Sequence, residues 1–110
     1  MTVRRFLFVC GKNRWRSPTA EQIFSGRTDL EVLSAGVAAE SETPIDAELV
    51  QWADCIFVME NRHRQVIRSR FADYLGQTRI VCLGIPDRYR FMDGELVNIL
   101  ERRMARHIGG

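Results

Sequence analysis

Residues Phe6-Leu7-Phe8-Val9 are apolar without alternation. Such a run marks a strand buried on both faces, which occurs almost only where helices cover a parallel sheet. Similar short apolar segments recur along the chain, each followed by a helix-like one. The spacing predicts strands over 5–9, 31–34, 55–59 and 79–83, and helices over 18–25, 44–52, 62–71 and 95–107. Ser17-Pro18 and Thr43-Pro44 each read as an N-cap followed by proline at the first helical position, and Asp93 as the cap of the last helix. In that helix Leu96, Val97, Leu100, Met104 and Ile108 recur at helical spacing, so one face belongs to the core. Strands alternating with helices give an α/β fold: a four-stranded parallel sheet with helices on both faces and right-handed crossovers. Ligands of such folds gather at the carboxyl ends of the strands.

At 110 residues the chain is read as a single domain, residues 1–110. Its longest apolar stretch is far short of a membrane span, and Arg4-Arg5 with the five apolar residues after it is too brief for a secretory leader. A cytoplasmic protein is expected. Cys10, Cys55 and Cys82 are odd in number and widely spaced, which indicates neither a disulfide framework nor a zinc site. The last two read as buried strand residues. The formal charge is only +2, yet arginines cluster at Arg62, Arg64, Arg68 and Arg70 and again at Arg102, Arg103 and Arg106. No aromatic residues interleave with them, so they are expected on solvated helix faces rather than in a nucleic-acid groove. His63 and His107 share those polar faces and are expected at the surface.

The first strand delivers Cys10 into a loop, Gly11-Lys12-Asn13-Arg14-Trp15-Arg16-Ser17, that opens the first helix. A strand ending in such a loop aims successive backbone N–H groups at one spot, where the helix dipole also favours negative charge. Gly11, Lys12, Asn13, Arg14, Trp15, Arg16 and Ser17 thus form a candidate phosphate cradle, and the same field stabilises a thiolate at its floor. Cys82 and Arg88 repeat the cysteine-to-arginine spacing, but Pro86 has no N–H to offer and Asp87 repels a phosphate there.

This arrangement suits attack of the Cys10 thiolate on a phosphate ester to form phosphocysteine. Arg16 grips two phosphate oxygens through its planar fork. The Ser17 hydroxyl is able to donate to sulfur, and Asn13 to hold a left-handed turn. The loop after the fourth strand leaves the same rim, so Asp87 is the candidate general acid, with Asp93 its rival. The cradle and Arg16 supply the positive field, so neither metal nor cofactor is called for.

Several of these segments together resemble the low-molecular-weight protein tyrosine phosphatases. The likeness rests on Val9-Cys10 to Asn13, Arg16 to Glu21, Ser34-Ala35-Gly36, Asp54 with Val58-Met59, and Ile85-Pro86-Asp87 with Tyr89. It implies strand order 2-1-3-4, with Cys10 as nucleophile, Arg16 as phosphate clamp, Ser17 as thiolate partner, Asn13 as brace, Asp87 as acid, and Trp15 and Tyr89 beside the substrate. The implied substrate is a phosphorylated protein or a small aryl phosphate. The chain departs from that family in three places. The link from Gly36 to Pro44 is too brief for the loop that walls the family's cleft, Trp15 replaces a second cysteine that captures the oxidised nucleophile, and Arg88 replaces a proline. Three alternatives stay open: arsenate reduction, a phosphocysteine carrier on the same scaffold, and a non-catalytic module that binds phosphate or RNA.

Overall fold

The computed structural model describes residues 3–108. Nine elements follow one another: β1 (Arg4–Cys10), α1 (Arg16–Phe24), β2 (Leu30–Gly36), α2 (Ala47–Trp52), β3 (Cys55–Val58), α3 (Asn61–Arg70), α4 (Ala72–Leu75), β4 (Arg79–Cys82) and α5 (Gly94–Met104). The strands are parallel and ordered β2-β1-β3-β4, as the resemblance implies. β1 occupies the interior of the sheet because its residues are apolar on both faces. Phe6 and Phe8 face one layer with Phe24, Phe57, Leu96, Leu100 and Met104, whereas Leu7 and Val9 face the other with Val50, Ile56, Val58 and Ile67. Phe57 packs edge-on against Phe6 at 4.8 Å and stacks on Phe8 at 5.5 Å between ring centroids. Full burial of each such side chain contributes about 1.5–3 kcal/mol.

Two of the expected caps lie elsewhere. α1 begins at Arg16 behind Trp15, and Ser17 sits inside the helix with its hydroxyl turned to other partners. α2 begins only at Ala47, because the Asp46 carboxylate accepts the Leu49 N–H at 2.8 Å and makes the stronger cap. Pro44 instead forms a lone parallel bridge with Gly36, where the Gly36 N–H donates to Thr43 O at 2.9 Å and the Ile45 N–H to Gly36 O at 2.8 Å. The expected cap at Asp93 is present, accepting the Glu95 N–H at 2.9 Å. The short helix α4 has no counterpart in the sequence reading.

Burial corrects four further expectations. Cys55 and Cys82 are half-buried, because β4 and the amino end of β3 lie toward the sheet's margin. His107 is half-buried against the Phe57 ring, at 5.0 Å between centroids. His63 is fully buried, because it belongs to the capping box of α3. The Glu60 N–H donates to His63 Nδ1 at 3.1 Å while the Glu60 side chain accepts from the His63 backbone.

That burial carries a titration. Loss of water around His63, reinforced by the positive charges of Arg16 and Arg62, pushes its imidazole down to about 4. An unfolded histidine takes up its proton near 6.5. The unfolded chain therefore binds the extra proton first, and the stability present above that value is lost as the pH falls toward 4. Glu60 does not share the window, since its carboxyl titrates near 2. The urea midpoint is expected to fall between pH 6.5 and 4, and to fall less in His63→Asn, whose amide oxygen can still accept the cap N–H. An unchanged slope in that variant would assign the loss to other groups.

Candidate active site

The carboxyl ends of β1, β3 and β4 each release a loop onto one rim. The first loop curls because Asn13 adopts φ 54°, which its short polar side chain tolerates. Its outer edge is fastened to the segment after β2. The Val37 N–H donates to Cys10 O at 3.0 Å and the Ala38 N–H to Gly11 O at 2.9 Å, and the Ser41 hydroxyl reaches Gly11 O at 3.2 Å. The shortened Gly36–Pro44 link therefore lies directly on the loop. Gly36 makes the approach possible, since a Cβ there would stand 2.8 Å from both Asn13 N and Gly11 O.

Cys10 is buried at the floor, and its Sγ lies 3.0 Å from Ser17 Oγ. The same hydroxyl is within reach of Asn13 Oδ1 at 2.9 Å and Ala35 O at 3.3 Å. With a single proton to give, Ser17 exchanges it among sulfur and these two oxygens. Asn13 and Ser17 are thus brought together beneath the loop as braces, and neither lines the cavity above it.

Arg16 is only 2% exposed. One of its terminal amino groups donates to the Glu60 carboxylate and to Ile85 O at 2.9 Å, and its Nε stands 3.6 Å from Asp87 Oδ1. Glu60 also accepts from Arg62 Nε at 2.9 Å. Burial opposes ionisation of Glu60, but hydrogen bonds from Arg62 and Arg16 outweigh it and hold the carboxyl at about 2. Neither Glu60 nor Arg62 was anticipated. The available signal was their position just past the end of the third strand, on the rim that carries Cys10.

A cavity of about 290 Å³ opens above the cysteine, lined by Cys10, Gly11, Lys12, Arg14, Trp15, Arg16, Val37, Ala38, Arg62 and Asp87. The Asp87 side chain is 55% exposed and reaches this space. Asp93 stays at the head of α5 as its cap. Asp87's loop is held to α1 from two sides: the Met92 N–H donates to Thr19 Oγ1 at 2.9 Å, and the Arg90 guanidinium covers the Trp15 ring at 5.3 Å. Tyr89 departs from expectation. Its ring is 4% exposed in the core layer with Ile85 and Leu96, because that apolar layer absorbs it, and it does not line the cavity.

The other thiols stand away from this site. Cys55 pairs in register with Phe6, four residues down the sheet from Cys10, or roughly 13 Å at ordinary strand rise. Cys82 lies two strands over and packs in the opposite core layer from Cys10. A relay of resolving thiols is therefore not assembled around Cys10, which removes the structural support for arsenate reduction.

Residues 5–53 match the family described as low molecular weight phosphotyrosine protein phosphatase. A protein-arginine-phosphatase of Bacillus subtilis (strain 168) is 30% identical over a match that covers 62% of this chain. The chain spans 63% of the length of that relative. Among solved structures, Vibrio vulnificus Wzb in complex with benzylphosphonate superposes with a TM-score of 0.69 at 23% identity, over 91% of each chain. The YwlE arginine phosphatase from Geobacillus stearothermophilus superposes with a TM-score of 0.68 at 22% identity, over 96% of this chain and 92% of that one. The two solved structures share the fold. Taken with the sequence matches, they make the chain similar to the low molecular weight phosphotyrosine protein phosphatases, in sequence over residues 5–53 and in fold over nine-tenths of its length.

Proposed function

We propose that this chain is a cysteine-dependent phosphomonoesterase that acts on phosphorylated proteins, within one domain and in the cytoplasm, through a phosphocysteine intermediate. The observation that carries the reading is the convergence on one cavity of a buried sulfur hydrogen-bonded to Ser17, a buried arginine beside it, and an exposed carboxylate 3.6 Å from that arginine. A reducing compartment suits a mechanism that needs a free nucleophilic thiol.

With the Cys10 and Gly11 carbonyls tied outward to Val37 and Ala38, the loop's remaining N–H groups are free to take phosphate oxygens. The Cys10 thiolate attacks phosphorus in line, forming an S–P bond as the P–O bond to the alcohol breaks. Asp87 gives its proton to the departing oxygen. Arg16 already has its orientation fixed by Glu60 and Ile85, so it meets the transition-state charge without reorganising. Asp87, now a carboxylate, takes a proton from water, whose oxygen attacks the phosphocysteine. Inorganic phosphate leaves, and the returning thiolate is met by the Ser17 hydroxyl. A phosphocysteine carrier needs neither Arg16 nor Asp87 at this place, and the reaction as written uses no metal.

An aryl phosphate fits the cavity better than a phosphoguanidino group. Trp15 supplies an aromatic wall, while Lys12, Arg14 and Arg62 make the rim basic and disfavour a second cation. The curated relative is named for phosphoarginine, so the two chemistries can be compared directly. A phosphotyrosine peptide is expected to show the higher kcat/KM than its phosphoarginine counterpart, and the reverse order would assign arginine dephosphorylation instead.

Cys10→Ser is expected to leave no measurable hydrolysis of 4-nitrophenyl phosphate, because a serine hydroxyl stays protonated in this field. Asp87→Asn should slow phenyl phosphate, a poor leaving group, by about 100-fold or more, and the activated nitrophenyl ester by less than about ten-fold. Equal slowing of both esters would take the acid role from Asp87.

A further inference from the structure

Arg62 has so far served only as a partner of Glu60 and as one cation of the basic rim. Glu60 engages it through Nε, at 2.9 Å, and not through the outer fork. Its Nη2 is accordingly turned toward the phosphate loop, 3.6 Å from where a Cβ on Gly11 would stand, and the side chain lines the cavity with Cys10. The capping box of Glu60 and His63 on either side of it fixes the first turn of α3 and thus its place on the rim.

We propose that Arg62 forms, with Lys12 and Arg14, a second anion site beside the phosphate cradle, which selects phosphotyrosine flanked by acidic residues. The inference rests on the phosphatase reading and names the substrate class for that same site. The division of labour follows from burial. Arg16, withdrawn from solvent at the cavity floor, serves the transferred phosphoryl group together with the loop. Lys12 and Arg14 are exposed, and Arg62 has a side chain 58% exposed, so these cations surround the mouth through which the rest of the substrate must pass.

A planar guanidinium with its outer nitrogens free recognises a carboxylate through paired hydrogen bonds. Across the mouth, Val37 and Ala38 present a low wall, because the Gly36–Pro44 link lies flat on the loop. The cleft is thereby open on that side to an extended peptide. A nucleotide is the poorer fit, since single-strand binders interleave several aromatic faces with their cations and, among the described residues, Trp15 is the one aromatic residue lining this cavity.

Two phosphotyrosine peptides, identical except for Asp or Asn on either side of the phosphorylated residue, test the site. At low salt the wild type is expected to show kcat/KM about ten-fold higher for the aspartate peptide, shrinking as salt screens the rim. The ratio should fall toward one in Arg62→Met and recover in part in Arg62→Lys, which restores the charge without the fork. Arg68→Met, exposed on the same helix and away from the cavity, should keep the wild-type ratio.

Equal kcat/KM for the two wild-type peptides, or a preference that survives Arg62→Met, overturns the proposal. A 5′-phosphorylated oligonucleotide processed faster than the aspartate peptide does so as well, and assigns the basic rim to nucleic acid. Binding of the labelled peptides to the Cys10→Ser protein gives the same ratio without turnover. If no ester is hydrolysed the phosphatase reading fails, while the binding ratio still decides for or against the Arg62 site.

Discussion

A guanidinium is almost completely withdrawn from water at the top of the sheet, and it and its partners come from three different loops. Burying a charge costs several kcal/mol per ion unless it is paired and its hydrogen bonds are met. Arg16 leaves the end of β1, the Glu60 carboxylate leaves the end of β3, and the Ile85 carbonyl leaves the end of β4. Removing one member of such a set typically costs about 3–5 kcal/mol, because the remaining charge stays buried and unpaired. The rim therefore holds together as a unit. The parallel register of the apolar strands decides where the three loops begin, and Arg16 decides how they meet.

The same network separates the two carboxylates nearest the cysteine. Glu60 is bound by two arginines, keeps its charge down to about pH 2 and is committed to holding Arg16 and Arg62. Asp87 sits in a loop tethered through Met92 and Arg90, with its side chain 55% exposed toward the cavity. One carboxylate is thus a fixed counter-ion, and the other stands exposed at the mouth of the cavity. His63 supports this division from behind, since its neutral ring accepts the Glu60 N–H without adding a third cation to the cluster.

Much of this was legible in the chain because it rests on local chemistry. Four successive apolar residues announced a strand covered on both faces, and its abrupt passage into Gly11 and Asn13 announced a turn able to surround an anion. Asp93 could be read as a cap from its position alone. What escaped notice depends on partners distant in sequence. Glu60 and Arg62 stand in a highly charged stretch where no periodicity separates an inward carboxylate from a solvated one, and their significance comes from Arg16, more than forty positions earlier. His63 was misplaced for the same reason, since a reciprocal cap buries it within an otherwise polar helix. Tyr89 was assigned to the cleft by likeness of motif, whereas the apolar layer beneath β4 claims its ring. Ser17 looked like a cap because it precedes a proline, but the sulfur below it and the Asn13 amide are nearer competitors for its hydroxyl.

The account depends on a covalent bond between phosphorus and the sulfur of residue 10. Acid quenching during turnover of an aryl phosphate, followed by proteolysis and mass spectrometry, detects that bond directly. The account predicts a phosphoryl group on the peptide containing Cys10, accumulating further in Asp87→Asn, where activation of water is slowed. Steady release of phosphate with no phosphorylated Cys10 peptide in either protein would contradict it.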